Sequence, residues 1–223
     1  MDYFSNYFEN AKSYSWHLPP AEELDRVCRK LNLRADRGQR ALDFGCGEGR
    51  NTRYLLDLGY SVVATDVVDS AIDLTRQRLG NRQATIQKIT FGAKLPFNDS
   101  EFSIIVAYHV LQWLGNKERF IFYLNEFIRL IEEKGMIIFT MPTEDHFHTA
   151  TGIEIGESVY RITTEQRRDC IQYSPNLPTL RQHLDKVGLT TRLFGRHEFG
   201  YDGDENTASR RLSMYLFCVQ LKQ

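Results

Sequence analysis

The chain has 223 residues, enough for one compact domain with an ample core. Its composition, 42% hydrophobic and 26% charged, is that of an ordinary globular protein, and a net charge of -1 offers no global attraction to nucleic acid or an anionic membrane. The opening Met1-Asp2-Tyr3-Phe4-Ser5-Asn6 lacks the basic-then-apolar order of a secretion signal, and no apolar run approaches the roughly 20 residues of a membrane span. Cys28, Cys46, Cys170 and Cys218 are too scattered for a disulfide framework or a zinc site, so a cytoplasmic location is expected.

Strands and helices alternate along the chain, without internal repeats. Tyr3, Phe4, Tyr7, Phe8, Tyr14 and Trp16 are too many aromatics for a solvated tail and predict packing or a lid within residues 1–35. Pro20 opens a helix with Leu24, Val27, Cys28 and Leu31 on one face. Ala41 to Phe44 is the first strand, and its helix carries Thr52, Leu55 and Leu56 inward. Ser61 to Thr65 is the second strand, after which Asp69 or Ser70 caps a helix toward Leu79. Ala84 to Lys88 is a weaker third strand. The apolar run Phe102 to Ala107 predicts a strand covered on both faces. Phe120, Ile121, Leu124, Phe127, Ile128 and Ile131 form a broad helical stripe that Gly135 ends, and Met136 to Met141 is the fifth strand. Residues 143–175 break the rhythm and predict an inserted substrate segment, partly extended around Ile153, Ile155, Val159, Tyr160 and Ile162. Asn176 caps a helix with Leu177, Leu180, Leu184 and Val187 inward, closed by Gly188. Leu189 to Phe194 and Leu212 to Leu221 are the last strands, joined by a polar loop from Gly195 to Arg211 that is expected to be mobile.

Repeated strand–helix units predict an α/β fold, a mostly parallel sheet with helices on both faces and right-handed crossovers. Ligands in such sheets sit outside the carboxyl ends of the strands, where the winding reverses. The first strand feeds Gly45-Cys46-Gly47-Glu48-Gly49, a turn whose glycines let a ligand approach the backbone and whose helix aims free N–H groups at the same place. Asp43, before the turn, would repel a pyrophosphate and suits a cationic ligand. Asp66 ends the second strand roughly 20 residues past the turn, where a carboxylate accepts both hydroxyls of a ribose. Together these residues ask for an adenosine-type ribose joined to an ammonium or sulfonium.

This combination resembles the class I S-adenosylmethionine-dependent methyltransferases from about Ala41 onward. Asp43-x-Gly45-x-Gly47-x-Gly49 matches the family's first motif, Val63-Ala64-Thr65-Asp66 its acidic strand end, Leu95-Pro96-Phe97 with Phe102 to Val110 its fourth-strand region, and Gly135-Met136-Ile137-Ile138 its fifth strand. Gly49-Arg50-Asn51 is closest to the bacterial small-molecule subgroup that includes tellurite-resistance-type enzymes. The resemblance implies a Rossmann-like seven-stranded sheet with an antiparallel C-terminal edge hairpin, and S-adenosylmethionine as cofactor, leaving as S-adenosylhomocysteine. The cofactor-binding residues it implies are Asp43, Gly45, Cys46, Gly47, Gly49, Asn51, Asp66, Val67, Thr90, Phe91, Tyr108 and His109. Two positions depart from the family: Phe91 stands where an Asp often meets the adenine amine, and Ser103 replaces the usual Asp after Phe102.

On this reading a single domain spans 1–223 and transfers methyl groups to a small-molecule acceptor by in-line displacement. His146 and His148 are its candidate bases. A metal at His146-Phe147-His148 would need Glu144 or Asp145 as third ligand, and no metal is expected. No calcium is expected at Asp202-Gly203-Asp204-Glu205-Asn206 either, because Thr207 and Ser213 occupy the positions of the required Gly and Glu. His109 either faces the methyl donor or packs under the next helix, and Trp113 is expected in the core. Nucleic-acid or protein methylation on the same fold, and a catalytically silent cofactor-binding subunit, are the alternatives. Neither nucleic acid nor membrane is an expected partner. The sequence carries no sign of an oligomeric state.

Overall fold

A computed structural model describes residues 21–36, 38–163, 170–201 and 210–222. The expected aromatic lid, Pro20 and the rejected calcium loop fall outside them. The elements are α1 (Glu22–Lys30), β1 (Arg40–Phe44), α2 (Arg50–Asp57), β2 (Ser61–Asp66), α3 (Asp69–Leu79), β3 (Thr85–Lys88), β4 (Phe102–Ala107), α4 (Lys117–Leu130), β5 (Ile131–Pro142), α5 (Phe147–Thr151), β6 (Ile153–Gly156), β7 (Val159–Ile162), β8 (Cys170–Tyr173), α6 (Leu177–Lys186), β9 (Leu189–Tyr201) and β10 (Arg210–Leu221). A 3-10 turn, Leu111–Leu114, precedes α4. The seven-stranded sheet has the order β3-β2-β1-β4-β5-β10-β9, so the winding reverses between β1 and β4. β9 and β10 form the antiparallel edge hairpin. No described helix is long and apolar enough to cross a membrane.

Contacts divide the chain into two compact units, Met1–Tyr108 with Glu126–Ile138, and His109–Asn125 with Phe139–Gln223. In the first, parallel pairing sets Asp43 against Ala64 on β2 and Val106 on β4. Leu24, Leu42, Leu55, Ile104 and Ile105 are fully buried, and Phe44 meets Phe127 edge-on at 5.2 Å. Leu56 is only half-buried, and Tyr54 takes the inward place expected for it. The Leu95-Pro96-Phe97 segment is clamped from α4: Glu126 accepts the Leu95 N–H at 2.7 Å, and the Arg129 guanidinium donates to the carbonyls of Leu95 and Phe97. Ser103 donates to the Arg40 carbonyl at 3.0 Å.

Three expectations about where elements begin and end are corrected. Gly135 does not end a helix. α4 stops at Leu130 and β5 starts at Ile131, and Gly135 lies inside that strand because a Cβ there would come within 2.6 Å of the Ile131 side chain and 2.9 Å of the Ser103 carbonyl. Asp69 and Ser70 do not cap α3, whose N-cap is Val68 without a side-chain bond; Asp69 pairs with Lys88 instead. Gly195 does not begin a loop, since β9 continues to Tyr201, with Gly195 paired to Leu216 and Arg196 to Tyr215.

In the second unit, Phe139 and Phe217 stack at 5.1 Å and Phe120 packs on Tyr173. The inserted segment folds as α5 and an antiparallel sheet in the order β6-β7-β8. Asn176 caps α6 by accepting the Thr179 N–H at 2.9 Å. His183, rather than Leu177 or Val187, joins Leu180 and Leu184 inside, its ring bonded to the Tyr173 hydroxyl at 2.9 Å. Trp113 is half-buried while Leu111, Gln112 and Leu114 flanking it are buried, so it is not the core residue expected.

Candidate functional site

The glycine turn is held shut by its neighbours. The N–H groups of Gly45 and Cys46 both donate to the Thr65 carbonyl, at 2.8 and 2.9 Å, and that of Gly49 to the Cys46 carbonyl. The Gly47 N–H donates to Asp66 Oδ2 at 3.0 Å. Four amides that a phosphate-binding turn would aim at its ligand are thus engaged within the protein. A diphosphate finds no cradle at those four positions. Gly49 is required at φ +81°, with a Cβ there reaching 3.0 Å from Thr75, whose hydroxyl donates to the Gly47 carbonyl at 2.7 Å.

The two carboxylates play different parts. Asp43 is 2% exposed and accepts the Thr52 hydroxyl at 2.5 Å. Burial first, and then the negative charge of Asp66, push its carboxyl up to about 6 against the relief given by Thr52. Asp66, at the carboxyl end of β2, accepts Gly47 N–H on one oxygen and the Val67 and Val68 N–H groups on the other, at 2.7 and 3.1 Å. Burial raises its carboxyl and these amides oppose the rise. Asp66 therefore ties the two residues that lead into α3 to the glycine turn, without capping that helix.

Around this frame, Asn51 on the first turn of α2 has a buried Oδ1 with no hydrogen-bond partner among the described residues. Buried polar atoms ordinarily have one, so this oxygen suits a ligand donor such as an ammonium. The Glu48 and Arg78 side chains, 6% and 8% exposed, form an ion pair behind the turn. Thr90 accepts the Ala93 N–H, Gly92 turns the chain at φ +76°, and Phe91 is half-buried. Extending the β1–β4 register by two residues sets Tyr108 level with Gly45. The Tyr108 hydroxyl donates to Glu23 of α1 at 3.2 Å. A cavity of about 490 Å³ between α1 and α2, lined by Cys28, Tyr54 and Asp57, includes none of the turn residues.

The second unit holds the remaining candidates. His109 sits at φ +58°, a conformation that non-glycine residues adopt at a cost, with its N–H on the Thr140 hydroxyl and its ring parallel to His197 at 6.4 Å. His146 and His148 are buried with their rings 5.2 Å apart. His146 is the N-cap of α5, its Nδ1 accepting the His148 N–H at 3.1 Å. In the neutral ring that leaves the proton on Nε2, which then donates rather than accepts. Glu144 is engaged by the Tyr215 hydroxyl and the Leu177 N–H, Asp145 by Thr143 and Arg196. Among the described residues no group of three or more His, Cys, Asp or Glu side chains is arranged to hold a metal.

Comparison with known proteins follows this geometry. Residues 42–139 match a family model described as "Methyltransferase domain", covering the glycine turn, Asp66 and β4. The central segment of the chain is thus similar to a methyltransferase domain. It is 27% identical over 125 residues to nodulation protein S of Rhizobium tropici, covering 56% of this chain and 52% of that one. It is also 27% identical over 180 residues to malonyl-[acyl-carrier protein] O-methyltransferase of Serratia marcescens, covering 71% and 67%. The chain spans about half the length of the first curated relatives it matches. Burkholderia thailandensis 1,6-didemethyltoxoflavin-N1-methyltransferase, solved with its substrate and S-adenosylhomocysteine, superposes with a TM-score of 0.61 at 17% identity over 89% of this chain and 76% of that chain. The methyltransferase fold thus accounts for the strand order, the glycine turn and the edge hairpin.

Three contributors lacked a clear signal in the sequence. Thr52 is placed inward by the helical pattern, but its bond to Asp43 has no signal there. Thr75 and Glu23 act across distances in sequence that no local pattern reports.

Proposed function

We propose that this protein is an S-adenosylmethionine-dependent methyltransferase acting on a small-molecule acceptor. The observation that carries the reading is the glycine turn whose amides are used internally while Asp66 closes on it, a frame fit for an uncharged ribose and a cationic tail. When bound, the cofactor supplies a methyl carbon already activated by its sulfonium. Asp66 and Val67 hold the ribose edge, with the backbone of Gly45, Cys46, Gly47 and Gly49 shaping the floor. Asp43 fixes α2 through Thr52, Asn51 receives the ammonium, and Thr90 with Phe91 borders the adenine. Tyr108 and His109 border the methionine end. Such sites work chiefly by holding the reacting atoms in line and excluding water, an effect worth about 7–11 kcal/mol.

Among the two candidate bases, His148 takes the proton of the acceptor and His146 positions it, because the His146 Nδ1 lone pair is spent on the cap. Residues 143–175 select the acceptor within a single domain. The small-molecule class is supported by the substrate in the Burkholderia thailandensis structure's name and by the near-neutral net charge of -1. In the test, the purified protein transfers labelled methyl groups into fractionated cell extract. Label is expected in the low-molecular-weight fraction, with His148→Ala lowering turnover about 10²–10⁴-fold at unchanged cofactor affinity. Label only in protein or nucleic acid would contradict the acceptor class.

A further inference from the structure

We infer that Glu23, held by Tyr108, is the residue that distinguishes the charged methyl donor from its neutral product. The inference rests on the cofactor reading above and adds a residue that nothing in the glycine motif contains. A ribose at Asp66 lies at the end of β2, the glycine turn at the end of β1, and Tyr108 one strand further on. Two strand spacings are about 10 Å, so a nucleoside anchored at Asp66 and crossing the turn brings its sulfur and amino-acid tail toward β4, where the winding reverses.

α1 delivers a carboxylate to that end. Glu23 accepts the Tyr108 hydroxyl at 3.2 Å, and α1 is pinned a second time where the Tyr54 hydroxyl donates to Asp25 at 2.9 Å. Tyr108 is 9% exposed and Glu23 half-buried, so the charge is not dissipated in bulk water. Glu22 acts on the phenol in the same sense as Glu23, and the Arg50 guanidinium in the opposite sense. The phenol donates its hydrogen and remains neutral, which orients Glu23 without cancelling its charge. During transfer the acceptor forms a bond to the methyl carbon, the carbon–sulfur bond breaks with its electron pair going to sulfur, and the acceptor's proton leaves to the base. Sulfur thereby loses its positive charge. A fixed carboxylate near it favours the donor before the reaction and loses its hold on the product after it.

The test is calorimetric binding of S-adenosylmethionine and S-adenosylhomocysteine to the full chain. Glu23→Gln keeps size and hydrogen-bonding capacity while removing the charge. It is expected to weaken the methyl donor about tenfold, some 1.4 kcal/mol, and the product less than twofold. Tyr108→Phe, which leaves the charge but frees its position, is expected to narrow the donor-to-product ratio by a smaller factor, and it serves if Glu23→Gln does not fold. An unchanged ratio in both variants, or an equal loss for both ligands, overturns the inference alone. Failure of the unmodified protein to bind either ligand overturns the cofactor reading and the inference together.

Discussion

The two compact units treat buried polar groups differently. Around the glycine turn, Asp43, Asp66 and Thr75 all have partners, and among the described residues of the first unit Asn51 Oδ1 is the one buried side-chain polar atom without a partner. In the second unit Gln112 Oε1, Gln172 Oε1 and Ser213 Oγ are buried without partners among the described residues. Gln172 donates through its amide nitrogen to Thr149, which also bonds Ser174, and its carbonyl oxygen is left over. The contrast separates a frame whose polar side chains bond one another from a region where three described polar atoms find no partner within the described chain. Cofactor chemistry is common to the fold and can be pre-built, whereas acceptor recognition is where methyltransferases differ.

The contrast is broken most severely by opening the frame. Glu48→Gln leaves the Arg78 guanidinium buried without its counter-charge and is expected to cost about 3–5 kcal/mol, read as a drop in denaturant midpoint. Equal stability would mean that the pair contributes nothing to the frame. The next effect is set by pH. The Asp43 carboxyl is raised in the folded state to about 6, so the fold binds its proton more tightly than the unfolded chain does. Its favourable contribution is complete below about pH 4 and is lost as pH rises through 6, leaving an ionised buried group that costs about 3 kcal/mol at neutral pH. Asp43→Asn is therefore expected to flatten the stability profile between pH 4 and 7, measured by urea unfolding at each pH. A profile identical to the parent would place the charge elsewhere. Smallest is Gln172→Leu, which exchanges one bond to Thr149 for the removal of an unsatisfied carbonyl. A change under about 1 kcal/mol is expected, and a loss of 3 kcal/mol would show that Gln172 belongs to a closed structural network.

The frame was the more legible part of the sequence. Asp43, the alternating glycines and Asp66 stand at spacings that only a strand–turn–helix can satisfy, and β1, β2 and β4 show as apolar runs. What escaped were bonds that skip the local pattern. Asp69 has the position and chemistry of a cap for α3, yet it pairs with Lys88, while Asp66 bonds the Val67 and Val68 amides just before the helix. Gly135 looked like a helix stop because a missing side chain reads the same whether it ends a helix or lets a neighbouring strand approach. β9 and β10 run past their apolar stretches because the ladder is made of backbone and tolerates Arg196 and Glu198 on a solvated face. Glu23 reads as one of several acids in an ordinary first helical turn. His146 and His148 show in the sequence as a pair, but the use of the His146 ring as the cap of α5 does not.

The most direct test of the frame is calorimetry on the pure, folded protein, with S-adenosylhomocysteine and NAD as competing probes and Asp66→Ala alongside. Binding of S-adenosylhomocysteine to the parent, its loss in Asp66→Ala, and no heat with NAD are the predicted results. Association with NAD and none with the nucleoside product would contradict the account.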